Sequence, residues 1–135
     1  MINGFHMSKK KILVIDDEVN FSNLLKINLE DIGEYEVKAI YKGSEGYEAA
    51  REFCPDMIII DVVLKDADGR DVLSLIKSDS QFQHVSVIIL SAVPLKQILE
   101  KHPVLLGNTL ILSKPITLAM LVEHIHQQLK KSENG

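Results

Sequence analysis

The sequence has little cysteine, no excess of positive charge and no long apolar run. Cys54 is the single cysteine among 135 residues, which excludes an internal disulfide framework and a thiolate metal cluster. The net charge of -4 offers no basic surface for nucleic acid, so we expect no direct binding of DNA or RNA. No apolar run is long enough to span a membrane, and the first residues lack the apolar core of a signal peptide. We therefore expect a cytoplasmic protein that does not enter membranes.

Length and composition indicate one folded domain. The chain is 46% hydrophobic and 25% charged, which is ordinary for a globular protein of this size. We expect the domain over residues 10–131, preceded by an N-terminal extension over 1–9 and followed by a flexible polar tail over 132–135. Met7 is a candidate natural start. We find no internal repeat and no low-complexity segment.

Short apolar runs alternate with segments of helical periodicity. Runs that are apolar on every residue are typical of strands buried on both faces, whereas alternating polar and apolar residues indicate an edge strand. The predicted strands are 11–15, 35–41 (the edge strand), 57–60, 85–90 and 109–112. The predicted helices are 19–32, 44–53, 70–77, a short one within 95–101, and one from residue 117 onward. This alternation predicts an α/β fold with a parallel sheet covered by helices on both faces.

Polar residues follow the apolar strands at the point where each strand ends. Asp16 and Asp17 follow the first strand, Asp61 the third, Ser91 the fourth, and Lys114 the fifth. The carboxyl ends of parallel strands share one edge of the sheet, where open α/β sheets bind their ligands. We therefore expect these residues, separated by up to about a hundred positions, to meet in one site.

The chemistry of this set favours phosphoryl transfer. Neighbouring carboxylates do not all remain ionised without a cation, and Mg²⁺ is a hard ion that accepts carboxylate and phosphate oxygens. Lys114 adds a second positive charge and Ser91 a hydroxyl donor for the transferred group. A carboxylate can serve as the nucleophile and form an aspartyl-phosphate. Taken singly, each aspartate or serine could instead cap the helix that follows it.

The same residues make the chain resemble the receiver domain of two-component response regulators. The resemblance rests on Asp16-Asp17, Asp61, Ser91-Ala92 and Lys114-Pro115 at successive strand ends, with Gly69 in the loop after Asp61. It covers about residues 10 to 131. It implies a flavodoxin-like (βα)5 three-layer sandwich, with five parallel strands in the order 2-1-3-4-5.

The resemblance also implies a role for each residue. Asp61 would accept a phosphoryl group from the phosphohistidine of a sensor histidine kinase or phosphotransfer protein. Asp17 would bind Mg²⁺ directly and Asp16 largely through water, with the Asp61 carboxylate and the backbone carbonyl of Val63 as further ligands. Ser91 and Lys114 would bind the phosphoryl group, and the Lys114–Pro115 peptide bond would be cis. Phosphorylation would change the surface formed by the fourth helix, the fifth strand and the fifth helix, which a downstream effector would recognise.

The sequence departs from the family pattern at two positions. Ile111 stands where the family often has an aromatic residue that moves on activation, and Lys65 stands where it usually has proline. An isoleucine has no ring to rotate, so the signal would be read out differently.

Three other interpretations remain open. A pseudo-receiver would act as an interaction module without phosphorylation, and Ile111 is compatible with that. A metal-dependent phosphohydrolase commonly needs an aspartate two residues after its nucleophile, where this chain has Val63. A nucleotide-binding domain would need a glycine-rich turn after the first strand. Under the leading interpretation the protein catalyses only its own phosphorylation and dephosphorylation and is not an enzyme with an external substrate.

Overall fold

Five strands form the centre of the protein. The structure, a computed structural model, describes residues 8–94, 96–97 and 108–134. The strands are β1 (Lys10–Ile15), β2 (Tyr35–Ile40), β3 (Met57–Asp61), β4 (Ser86–Ser91) and β5 (Thr109–Ser113). All are parallel to their neighbours, and their order is β2-β1-β3-β4-β5. The predicted flavodoxin-like topology is confirmed, with β2 as an edge strand.

The described part of the chain contains four α-helices that cover both faces of the sheet. These are α1 (Val19–Ile32), α2 (Gly46–Phe53), α3 (Gly69–Lys77) and α4 (Leu118–Asn134). A 3-10 turn, Gly43–Glu45, precedes α2, so the predicted helix over 44–53 begins as a tighter turn. The short helix predicted within 95–101 lies for the most part outside the described residues. No helix among the described residues is long and apolar enough to cross a membrane.

Alternate residues of the central strands fill two separate cores. Leu13 and Ile15 of β1 point towards α2 and α3, whereas Ile12 and Val14 point towards α1 and α4. All four side chains are fully buried. Burying one such side chain stabilises the fold by about 1.5–3 kcal/mol. The runs without alternation are thus strands with a core on each side, and they form a rigid base for the residues at their ends.

Polar groups at the amino-terminal edge of the sheet are paired with complementary partners. Lys77, at the end of α3, donates from Nζ to the carbonyl of Val85 just before β4, at 2.6 Å. The Tyr35 hydroxyl is hydrogen-bonded to Nδ1 of His126 on α4. The hydroxyls of Ser86 and Ser132 lie 2.7 Å apart and also join β4 to α4. These hydrogen bonds join helices to strands at this edge.

Candidate functional site

The ammonium group of Lys114 lies at the centre of the carboxyl-terminal edge. Its Nζ is 2.6 Å from Oδ2 of Asp61, 2.9 Å from Oε1 of Glu18 and 3.2 Å from Oδ2 of Asp16. The backbone N–H of Lys114 donates to the carbonyl of Ser91 at 2.9 Å, which holds the ends of β4 and β5 together. The Lys114 ammonium, which follows β5, thus contacts three acids from the ends of β1 and β3.

Asp61 is the last residue of β3 and is almost fully buried. Its Oδ1 accepts a hydrogen bond from the Val63 N–H at 3.0 Å, and its Oδ2 accepts from Lys114. Each oxygen of this carboxylate therefore has a defined partner. These two hydrogen bonds hold the Asp61 carboxylate in position at the site.

Gly69 lets the loop after Asp61 return close to the strand. The Gly69 N–H donates to the carbonyl of Val62 at 2.7 Å. A Cβ atom at Gly69 would lie only 2.0 Å from the backbone oxygen of Asp61. No side chain fits there, so this contact requires glycine. Asp68 caps the amino terminus of α3, where its side chain accepts a hydrogen bond from the Arg70 N–H at 2.9 Å.

The charges at this edge do not balance. Burial raises the pKa of Asp16 above its ordinary value, although the Glu18 N–H and Lys114 partly offset this effect. Burial lowers the pKa of Lys114, but its hydrogen bonds to Asp61 and Glu18, together with the charges of Asp16 and Asp61, outweigh burial and leave the pKa above its ordinary value. Three carboxylates against one ammonium leave a formal charge of -2. The site therefore matches a divalent cation in charge.

The carboxylates also match Mg²⁺ in geometry. One oxygen from each of Asp16, Glu18 and Asp61 lies within 4.8 Å of the others. Oxygen ligands around Mg²⁺ sit at about 2.1 Å from the ion and so about 3 Å from each other. Carboxylates that converge to this degree are compatible with a single Mg²⁺ ion. The donor set consists of hard oxygens, which fits this ion.

Two of the predicted site residues are directed elsewhere. Oδ2 of Asp17 accepts a hydrogen bond from the backbone N–H of Lys65 at 2.6 Å, and Asp17 is not among the three converging acids. The Ser91 hydroxyl is buried and bonds to Val93, donating to its carbonyl at 3.1 Å and accepting from its N–H at 2.8 Å. Both residues lie at the predicted edge, but their polar atoms are engaged with loop backbone.

Two residues that the sequence analysis did not place in the site belong to it. Glu18 contributes a carboxylate to Lys114, and the Phe21 ring centroid lies 5.6 Å from the same Nζ, a cation–π distance. Three acids in succession, 16–18, were the sequence signal for Glu18. The Lys114–Pro115 peptide bond is cis, as predicted. A hollow beside Lys114 is lined by Glu18, Phe21, Ala92, Lys114, Pro115 and Ile116.

The fold and the site together define a class. The protein is a doubly wound parallel α/β domain with a buried aspartate, two further acids and a lysine at the carboxyl ends of its strands. Comparison with known proteins gives the family. The sequence model of the response regulator receiver domain matches residues 12–126, and the chain belongs to that family.

Known proteins resemble the chain over nearly its whole length. It is 31% identical over 124 residues to the polar-differentiation response regulator DivK of Brucella ovis, covering 91% of this chain and 98% of DivK. It is also 31% identical over 124 residues to the DNA-binding dual master transcriptional regulator RpaA of Synechocystis, covering 50% of that protein. The chain is thus the receiver domain of a two-component response regulator.

Solved structures share the fold. The receiver domain protein of Methanospirillum hungatei superposes with a TM-score of 0.83 at 22% identity, covering 94% of this chain and 98% of that one. The chemotaxis response regulator CheY4 of Vibrio cholerae gives 0.79 at 21% identity, covering 90% and 99%. These likenesses confirm the predicted flavodoxin-like architecture.

Proposed function

We propose that this domain is a phosphorylation-dependent switch and that Asp61 accepts the phosphoryl group. The donor is a phosphohistidine on a sensor histidine kinase or phosphotransfer protein. The observation that carries the proposal is the 2.6 Å contact between Asp61 Oδ2 and Lys114 Nζ, inside a group of carboxylates with unbalanced negative charge. A cation beside a buried nucleophile stabilises the charge that arrives with a phosphoryl group.

The step forms one bond and breaks one. An Asp61 oxygen forms an O–P bond while the P–N bond of the phosphohistidine breaks. The bond electrons stay on the imidazole nitrogen, which leaves as neutral imidazole after taking up one proton. Lys114 moves from the Asp61 oxygen to a phosphoryl oxygen, and the Ser91 hydroxyl turns from Val93 to donate to another. The chain thus modifies itself stoichiometrically and has no external substrate.

The acids at the edge are the proposed holders of Mg²⁺. When bound, this ion would supply the two positive charges that the site lacks. Asp16, Asp17, Asp61 and the carbonyl of Val63 remain the predicted ligands. Glu18 is a further candidate, because its carboxylate already lies beside those of Asp16 and Asp61.

The signal would reach a downstream effector through the surface that includes β5 and α4. Ile111 is a half-buried residue of β5, and both Ile111 and Val93 pack against the core beneath α2 and α3. Movement of the Ser91 loop would therefore change the packing around Ile111 without rotation of an aromatic ring. We further propose that the domain acts in the cytoplasm and that this chain does not itself bind nucleic acid.

One experiment tests the phosphoryl-transfer proposal. The protein is incubated with Mg²⁺ and acetyl phosphate, and its intact mass is measured. We expect a single added phosphoryl group that is absent in Asp61→Asn and lost when a chelator removes the metal. Tyr35→Phe, at the opposite edge, should be modified as the wild type is. Unmodified wild-type protein, or modification of Asp61→Asn, would overturn the proposal and favour a pseudo-receiver.

A further inference from the structure

The loop after β3 contacts the acidic edge through a backbone group. The Lys65 N–H donates to Oδ2 of Asp17 at 2.6 Å, across 48 positions of sequence. Any residue other than proline could make this bond, because it uses the main chain. A charge-assisted hydrogen bond of this kind is among the stronger ones in proteins. Asp17 is thereby held by the loop rather than by Lys114.

The loop is fixed on its other side as well. Oδ1 and Oδ2 of Asp66 accept hydrogen bonds from the backbone N–H groups of Gly43 and Ser44, at 2.8 Å and 3.0 Å. Within the loop, the Leu64 N–H donates to the carbonyl of Ala67 at 3.2 Å. The Lys65 amide lies between these anchors. It therefore stays in place if the Asp17 carboxylate turns away, so the bond must break for Asp17 to move.

The three consecutive acids are consequently used in different ways. Asp16 and Glu18 bind Lys114, and their oxygens converge with those of Asp61. Asp17 lies between them in sequence but does not belong to that converging group. The bond to Lys65 is the observed interaction that accounts for its different direction.

We propose that the backbone N–H of Lys65 is a positioning group that holds Asp17 away from the metal site, so that Asp17 can join the other acids around Mg²⁺ only when this hydrogen bond opens. The inference rests on the proposed function, because it concerns the same Mg²⁺ site. A site that is competent only part of the time binds with an affinity reduced by that fraction. The Lys65 amide thus weakens Mg²⁺ binding and sets the concentration at which the domain becomes ready for phosphorylation.

Two substitutions separate the amide from the side chain. Lys65→Ala removes the lysine side chain but keeps the N–H, whereas Lys65→Pro removes the N–H as well. Mg²⁺ dissociation constants are measured by isothermal titration calorimetry, without any phosphodonor. We expect Lys65→Ala to bind as the wild type does and Lys65→Pro to bind about tenfold more tightly.

A second measurement uses the wild-type protein and does not depend on how the proline variant folds. Hydrogen exchange of the residue 65 amide is followed by NMR with and without Mg²⁺. We expect exchange to become about tenfold faster at saturating Mg²⁺ in both wild type and Lys65→Ala, because the bond to Asp17 has opened.

The outcomes distinguish this inference from the function on which it rests. Equal Mg²⁺ affinity in all three proteins, with an unchanged exchange rate, overturns the role of Lys65 and leaves the Mg²⁺ site intact. Weaker binding by Lys65→Pro also overturns it, since the amide would then prepare Asp17 for the metal. If the wild type binds no Mg²⁺, the inference and the proposed Mg²⁺ site both fail.

Discussion

The two edges of the sheet hold their polar side chains in different ways. At the amino-terminal edge the polar groups described above form separate hydrogen bonds with neutral partners, such as the Tyr35 hydroxyl with His126 or Lys77 with backbone carbonyls. At the carboxyl-terminal edge Lys114 is shared among three carboxylates. The same strands support both edges, so the difference does not come from the fold. Matched pairs stabilise the domain, whereas unmatched negative charge favours the binding of a cation.

The largest expected difference in stability between substitutions at the two edges concerns Gly69 and Gly33. Gly69→Ala places a Cβ atom 2.0 Å from the Asp61 backbone oxygen and should cost about 3 kcal/mol of the free energy of unfolding. Gly33, at the amino-terminal edge, has φ +90°, and no atom lies within 4 Å of the position that a Cβ would occupy. Gly33→Ala should therefore cost only the backbone strain, about 1 kcal/mol. Urea denaturation measures both, and similar costs would show that the Asp61 loop adapts.

Added Mg²⁺ should stabilise the protein through one edge only. At a hundredfold excess over the dissociation constant, a bound ligand adds about 2.7 kcal/mol to the free energy of unfolding. Calorimetry should show a higher melting temperature with Mg²⁺ in the wild type and in Tyr35→Phe, and a much smaller rise in Asp61→Asn. A full rise in Asp61→Asn would place the ion away from this edge.

In the absence of metal, removing one polar group at each edge should change the free energy of unfolding in opposite directions. Asp16→Asn keeps an oxygen for the Glu18 N–H and removes a charge whose burial outweighs its attraction to Lys114, so it should stabilise the protein slightly. Tyr35→Phe loses the hydrogen bond to His126 and should destabilise it by about 1 kcal/mol. Urea denaturation in the presence of a chelator measures both changes, and a shift of the same sign in the two variants would contradict the contrast between the edges.

The pH dependence of the Asp16→Asn effect follows from its sign. Because the folded pKa of Asp16 is raised above 3.8, the folded state binds the proton more tightly, and stability falls as the pH rises through that folded pKa. The gain in stability from Asp16→Asn should accordingly be present at neutral pH and vanish below pH 3.8, the ordinary pKa of an aspartate. Urea midpoints across this range measure it; an advantage that persists in acid would exclude burial of the charge as its cause.

The smallest effect concerns the loop anchor Asp66. The amides of Ser44 and Gly43 hold the pKa of this exposed carboxylate below 3.8. Its contribution to stability is therefore present above 3.8 and is lost as the pH falls through the folded pKa. Asp66→Asn should show a smaller loss of stability between neutral and acid pH than the wild type, by urea denaturation. An identical loss in both proteins would contradict this assignment.

The sequence predicted the strands better than the directions of the side chains after them. Ile12 to Ile15 are apolar on both faces, which identifies a central strand without tertiary information. The sequence alone does not show that Glu18, rather than Asp17, contacts Lys114. The difference depends on an amide of the loop after β3, 48 positions away, which turns Asp17 aside. No local pattern contains that contact, and the bonds from Ser91 to Val93 are likewise set by how the loop folds back.

Lys114 also connects Asp61 to α1, a helix that is distant from Asp61 in the chain. Its Nζ bonds Asp61 and Glu18 at once, and Glu18 is the residue immediately before α1. If a phosphoryl group on Asp61 took this ammonium, the attraction on Glu18 would change in the same event. The start of α1 would then respond to the modification directly, by a route separate from the Ser91 loop, and a partner bound there would sense it without any rearrangement of β5.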